Sequence, residues 1–253
     1  MKNFYSFVGN GDFSIGCTGS TVYLFDKKGS EIAKFRELTY AYDCAISPKG
    51  DVFAVKTTEG RLAVYSLSEA KLLKKFRFSE VEESQDDNFC FSADGEELYN
   101  IERHVDSCKT ALCVYETKDY TLKKKLFSYD FGKVLTCVEY DAPTETVFLT
   151  GYFRKKLSGV AFNHFVARLD GETLSDIRYI SAEEAEYYVS YKKLEMGGFT
   201  EKSKRLSVFD GKEDQLMKAR SEGLSLAQLW KEKENNRDPE RKNGFGRFIF
   251  TRR

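Results

Sequence analysis

Apolar and polar residues alternate along this chain in short runs, and one run recurs five times. Val22-Tyr23-Leu24-Phe25-Asp26, Leu62-Ala63-Val64-Tyr65-Ser66, Leu112-Cys113-Val114-Tyr115-Glu116, Val166-Ala167-Arg168-Leu169-Asp170 and Leu206-Ser207-Val208-Phe209-Asp210 each read as an apolar strand ending in a bulky residue. The bulky positions 25, 65, 115, 169 and 209 lie 40, 50, 54 and 40 residues apart. Turn residues follow four of the five runs: Lys27-Lys28-Gly29, Lys118-Asp119, Gly171-Glu172 and Gly211-Lys212. Alternation of this length predicts half-buried strands, and its recurrence at this period predicts one strand-rich unit used repeatedly.

The second unit is the clearest. It predicts strands at 43–47, 52–57, 61–66 and 71–78, with Pro48-Lys49-Gly50-Asp51 supplying the dihedrals of the first turn. The third unit repeats it at 89–92, 97–103, 111–116 and 122–129. The first gives 3–8, 13–18, 21–26 and 31–36; the fourth gives 134–140, 146–153, 165–170 and 174–180. A fifth, less regular unit gives 187–193, 195–200 and 205–210, with its outer strand at either 214–219 or 247–251. Four antiparallel strands per unit, named a to d from the centre outwards, make a propeller blade. The expected fold is therefore all-β: a five-bladed β-propeller closing its last blade on its first, because an open fan would leave unpaired edges.

After Ser221 the pattern changes. Leu226, Leu229 and Trp230 fall at i, i+3 and i+4, which predicts a short C-terminal helix with one apolar edge. Its expected place is the outside of blade five. Residues 1–220 read as the repeats, and 221–253 as a helix and closing strand of the same domain.

Composition narrows the chemistry. Forty basic and forty acidic residues cancel, so nothing favours nucleic acid or a membrane as partner. The first residues lack the apolar stretch of a secretory signal, and no run is long enough to span a membrane. Five of the six cysteines fall in predicted strands, as small hydrophobes would. A cytoplasmic, disulfide-free monomer is the expectation.

Ile46-Ser47-Pro48-Lys49-Gly50 and Phe91-Ser92-Ala93-Asp94-Gly95 resemble the F-S-P-D-G turn of WD40-like and YVTN-like β-propellers. The strand-c phrases, as in Phe25-Asp26 and Phe209-Asp210, resemble those families' endings. The resemblance covers roughly residues 3 to 215. No repeat carries Gly-His or Trp-Asp, so it reaches the superfamily and no subfamily. It implies a scaffold or binding module more often than an enzyme, and fold alone does not choose.

In a four-stranded antiparallel blade the a–b and c–d turns share one end and the b–c and d–a connections share the other. The first set is short throughout. The second holds the long segments, including the d–a stretch 79–87 with five acids in nine residues and the b–c stretches 104–110 and 154–164. Long loops on a rigid frame carry function. The expected partner-binding residues are Arg154, Lys155, Lys156, Phe162, His164, His104, Asp86 and Asp87. An aromatic beside Arg suits a hot spot; equally, the stretch 160–162 could begin strand c and be buried.

Two alternatives stay open. Asp43, Asp87, Glu139 and Glu186 fall near strand-a positions, where a hydrolase such as a glycosidase would place carboxylates at the channel mouth. His104, Asp106, Cys108 and His164 could meet around a metal or small ligand, although H-x-D-x-C matches no closed zinc site. With no cofactor motif and no P-loop, GxSxG or paired CxxC, the main reading is a non-catalytic scaffold for a protein partner, without cofactor or metal.

Overall fold

A computed structural model describes residues 6–76, 89–103, 109–127, 132–155, 163–182, 185 and 226–235. Sixteen strands there form four four-stranded antiparallel sheets, each with its strands in sequence order. Blade 1 comprises β1 (Ser6–Gly9), β2 (Phe13–Cys17), β3 (Val22–Asp26) and β4 (Glu31–Phe35). Blade 2 comprises β5 (Ala41–Ile46), β6 (Val52–Thr57), β7 (Leu62–Ser66) and β8 (Lys71–Lys75). Blade 3 follows with β9 (Phe89–Phe91), β10 (Glu97–Arg103), β11 (Thr110–Glu116) and β12 (Leu122–Leu126). Blade 4 holds β13 (Lys133–Asp141), β14 (Thr146–Phe153), β15 (His164–Asp170) and β16 (Thr173–Ile180). One α-helix, α1 (Leu226–Asn235), is described as well. Strands 187–219 of the expected fifth blade and the closing strand 247–251 lie outside the described residues.

The blades stack face to face, and alternation within each strand decides which neighbour a side chain meets. Ile15, Cys17, Val22, Leu24 and Phe35 of blade 1 pack with Cys44, Phe53, Val55, Ala63 and Tyr65 of blade 2. The other face of blade 2, through Val52, Ala54, Leu62 and Val64, meets Phe89, Leu98, Ala111, Cys113 and Tyr115 of blade 3. Tyr99, Ile101, Leu112 and Val114 then turn to blade 4. Because both faces are covered, β6 and β7 are buried along their whole length, which is why their sequences run almost continuously apolar. Aromatic pairs stiffen the first joint: Phe53 stacks on Tyr65 with ring centres 4.9 Å apart, and Phe35 leans on Tyr65 at 4.6 Å.

The outer strands differ. β8 (KLLKK) and β12 (LKKKL) are mostly exposed. All four outer strands carry a register shift opposite strand c, at Phe25, Tyr65 and Tyr115 in blades 1 to 3 and beside Leu169 in blade 4. The bulky residue that marks the sequence repeat thus marks the point where the outer strand bulges. Bulges and lysines together blunt an edge that could otherwise pair with another chain.

The helix departs from expectation. It packs against blade 4, not against the outside of a fifth blade. Leu226 and Ala227 are buried in a cluster with Cys137, Phe148, Val166, Ile180 and Ala185, and Trp230 packs on its border. The Leu226 amide donates to Glu139 Oε2 at 3.0 Å, so a carboxylate satisfies a free donor of the helix N-terminus. Trp230 Nε1 donates to the Asp176 carbonyl at 2.9 Å, and the Arg178 and Arg168 guanidiniums stand 4.8 and 5.6 Å from its ring. The apolar edge of the helix was legible; which blade it would cover was decided by these partners on β13 and β16.

Asn100, fully buried on β10, finds no hydrogen-bond partner for either side-chain polar atom among the described residues. Burying such a group unpaired costs on the order of 1–3 kcal/mol. Asn100→Leu, of similar volume, should therefore raise the melting temperature by a few degrees; a fall would mean the amide is satisfied in solution. Gly151 acts in the opposite sense. Its Cα lies so close to β13 that an added Cβ would fall on the Val134 carbonyl oxygen and 2.9 Å from the Phe165 ring. Gly151→Ala should lower stability by about 3 kcal/mol or more, read from denaturant midpoints, since backbone must move. Trp230→Ala should speed amide exchange across residues 226–235 at least about tenfold while leaving the joint between blades 1 and 2 unchanged, because the helix touches only blade 4. Equal acceleration in both places would overturn that local role.

Candidate binding face

The backbone sorts the connections into two ends. At one end, the c–d turn hydrogen-bonds to the a–b turn of the same blade: Leu67 N to Asp51 O at 3.0 Å, and Thr117 N to Glu96 O at 2.9 Å. Lys49 Nζ crosses from blade 2 to Glu96 of blade 3 at 2.7 Å, above a cleft of about 290 Å³ that Ser47, Asp51, Lys118 and Tyr120 help to line. Burial, with Asp51 nearby, pushes the Tyr120 phenol up to about 12. Asp94 is held below the ordinary carboxylate range by hydrogen bonds from the Ser92 hydroxyl and the Glu96 amide. These are short, internally bonded turns.

At the other end the b–c and d–a connections bond to each other. Gly19 and Ala41 exchange both backbone hydrogen bonds, at 3.0 and 2.9 Å, tying the b–c loop of blade 1 to the strand entering blade 2. Thr58 N donates to Tyr40 O at 3.0 Å, and Arg154 N to Gly132 O at 3.1 Å. This is the face on which sequence reasoning places the partner-binding residues.

Of those residues, Arg154, Lys155 and His164 are described; Lys156, Phe162, His104, Asp86 and Asp87 lie outside the described residues, as do Asp106 and Cys108. Arg154 and Lys155 are exposed. They leave β14 at a closed neck, where Phe153 N donates to Asn163 O at 2.8 Å and Asn163 Nδ2 donates back to Phe153 O at 2.6 Å. Beneath the neck, Phe153 packs on Phe165 at 5.0 Å and on Tyr179 at 6.3 Å. The two cations therefore start from a fixed base.

His164 is not a loop residue. It is the first residue of β15, paired with Tyr152 and Ile180, half-buried, its ring 5.6 Å from that of Tyr152. Alternating β-pairing takes in one residue more than the apolar run suggested.

The candidate carboxylates are engaged in structure. Asp43 is buried at 6% exposure, directly opposite Lys56, itself at 1% with its ammonium on the Ile101 carbonyl at 2.6 Å. Glu139 caps α1. Asp87 and Glu186 lie outside the described residues.

Sequence reasoning passed over Tyr40. It sits in the d–a connection between blades 1 and 2 on this same face, with 59% of its surface exposed. No motif marks it; a lone tyrosine in a linker gives no signal until its backbone is known.

No family model matches the chain, and no curated protein matches it in sequence. Solved structures match it in fold. Hydrazine synthase from Kuenenia stuttgartiensis superposes with a TM-score of 0.54 at 16% identity, over 69% of this chain and 52% of that one. The C-terminal WD40 domain of Sif2 superposes with a TM-score of 0.51 at 11% identity, over 68% and 44%. The chain spans about half the length of these structures. At such identity the likeness is one of fold: these are the stacked four-stranded blades of a WD40-like β-propeller.

Proposed function

We propose that this chain is a non-catalytic scaffold that presents its b–c/d–a face to a protein partner. The observation that carries the reading is the asymmetry of the two ends. One end is finished by short turns bonded within each blade, whereas the other gathers the long connections and anchors them to one another through backbone hydrogen bonds. Rigid blades under a face of variable loops are a general arrangement for recognition.

Arg154 and Lys155 supply charge at that face, and Phe162 supplies the aromatic anchor, since Arg and aromatic residues dominate binding energy at interfaces. Lys156, His104, His164, Asp86 and Asp87 complete the proposed surface. The roles of Asp43 and Glu139 within the fold weigh against a hydrolase built on them.

The test is affinity capture from the native cell with the full chain, run beside an Arg154→Glu, Phe162→Ala double variant. The expected result is one protein retained at stoichiometric level by the parent chain and reduced at least about tenfold by the variant, whose melting temperature stays within a degree or two. Retention equal on both would remove the 154–162 region from the interface. No retained protein at all would overturn the scaffold reading.

A further inference from the structure

Six residues other than glycine hold a positive φ: Tyr40, Ala70, Tyr120, Phe127, Glu145 and Asp176. A side chain in that region is strained, and it persists where its surroundings compensate. Five of the six have a visible reason. Ala70 packs on the core between blades 1 and 2. Tyr120 packs on the next core with its ring edge 6.1 Å from Phe76. Phe127 packs on the third, under the Lys133 ammonium at 5.1 Å. Glu145 ends a short 3-10 turn (Ala142–Thr144), with its amide on the Ala142 carbonyl at 3.3 Å. Asp176 pairs with Arg168 at 3.6 Å and gives its carbonyl to Trp230.

Tyr40 is different. Its φ is 58°, and its ring is the most exposed of the large apolar side chains among the described residues. Everything the fold asks of this position is done by backbone: the Tyr40 carbonyl accepts from Thr58 N, and the following residue closes the two-way bridge with Gly19. Glycine would do the same with less strain. The fold therefore does not explain the ring, and a single exposed aromatic would need no explanation only if its backbone were relaxed.

We infer that Tyr40 is an anchor of the partner-binding face, its ring inserted into a concave apolar pocket on the protein partner. This rests on the scaffold reading and adds a residue and a partner chemistry to it. The backbone clasp on both sides fixes the ring's starting direction, so little freedom is lost on docking, and tyrosine brings large contact area with few rotatable bonds. Tyr40 lies at the junction of blades 1 and 2, whereas Arg154 lies on blade 4, so the two would define opposite flanks of one footprint.

The sign of two measurements tests it. Tyr40→Gly relieves the left-handed strain, so the purified full chain should melt about 1–3 °C higher. The same variant should lose partner affinity by at least about thirtyfold, the loss that marks a hot spot. The probe is the protein that the parent chain retains from native cell extract, identified by mass, purified and titrated calorimetrically. Tyr40→Phe should bind within about threefold of the parent, because the pocket is apolar. A lower melting temperature for Tyr40→Gly would mean that the ring packs within the fold, and would overturn the inference. Unchanged affinity in Tyr40→Gly would remove Tyr40 from the interface and leave the scaffold reading standing. Loss in Tyr40→Phe equal to that in Tyr40→Gly would overturn the apolar pocket. Retention by the parent chain of only further copies of itself, or of nothing, would overturn both readings.

Discussion

Stacking of one sheet on the next is the interaction on which everything else here depends. Strands b and c of an inner blade are covered on both faces, so no blade completes its core without a neighbour. Phe53 and Tyr65 of blade 2 belong to the joint with blade 1, and Val52, Ala54, Leu62 and Val64 to the joint with blade 3. Stability is then carried from joint to joint, much as in linear repeat proteins. The last described sheet meets the same demand by another means. Helix α1 lies over blade 4, with Glu139 bonded to its first turn and Trp230 set between aromatic, guanidinium and carbonyl partners.

That stacking leaves two exposed ends and an outer rim, and physics treats them differently. The rim is a set of sheet edges, protected by bulges in every outer strand and by lysines in β8 and β12. One end is made of turns so short that their backbone groups satisfy each other. The other must carry the chain from an outer strand back to the next inner one, a longer crossing with room for insertions. Recognition belongs where length varies without disturbing the joints. The buried acids fit this division, since Asp43 and Glu139 serve the interior while exposed cations stand on the open face.

Much of the fold was legible because its signal is local. A strand buried on both faces must be apolar throughout, and a bulky residue must stand where the outer strand bulges, so β3, β7, β11 and β15 were readable as one phrase. Strand ends were less so: β15 takes in His164 and β13 runs to Asp141, because pairing with a neighbour extends a strand past its apolar run. The face of the long loops followed from strand order alone. Individual side chains on that face did not.

What the sequence by itself determined is the repeat, the four-stranded unit, the sorting of turns from long connections and the presence of an amphipathic helix near the end. These depend on periodicity and chain length, which are properties of neighbouring residues. Tertiary structure alone decided that the helix covers blade 4, that Glu139 caps it, that Lys56 is buried against a carbonyl of the next blade, and that Tyr40 is held outward in a left-handed backbone. Each of those depends on a partner 18 to 87 residues away in sequence, the distances from Tyr40 to Thr58 and from Glu139 to Leu226. No local pattern encodes such a partner, because it is selected only when the blades have packed.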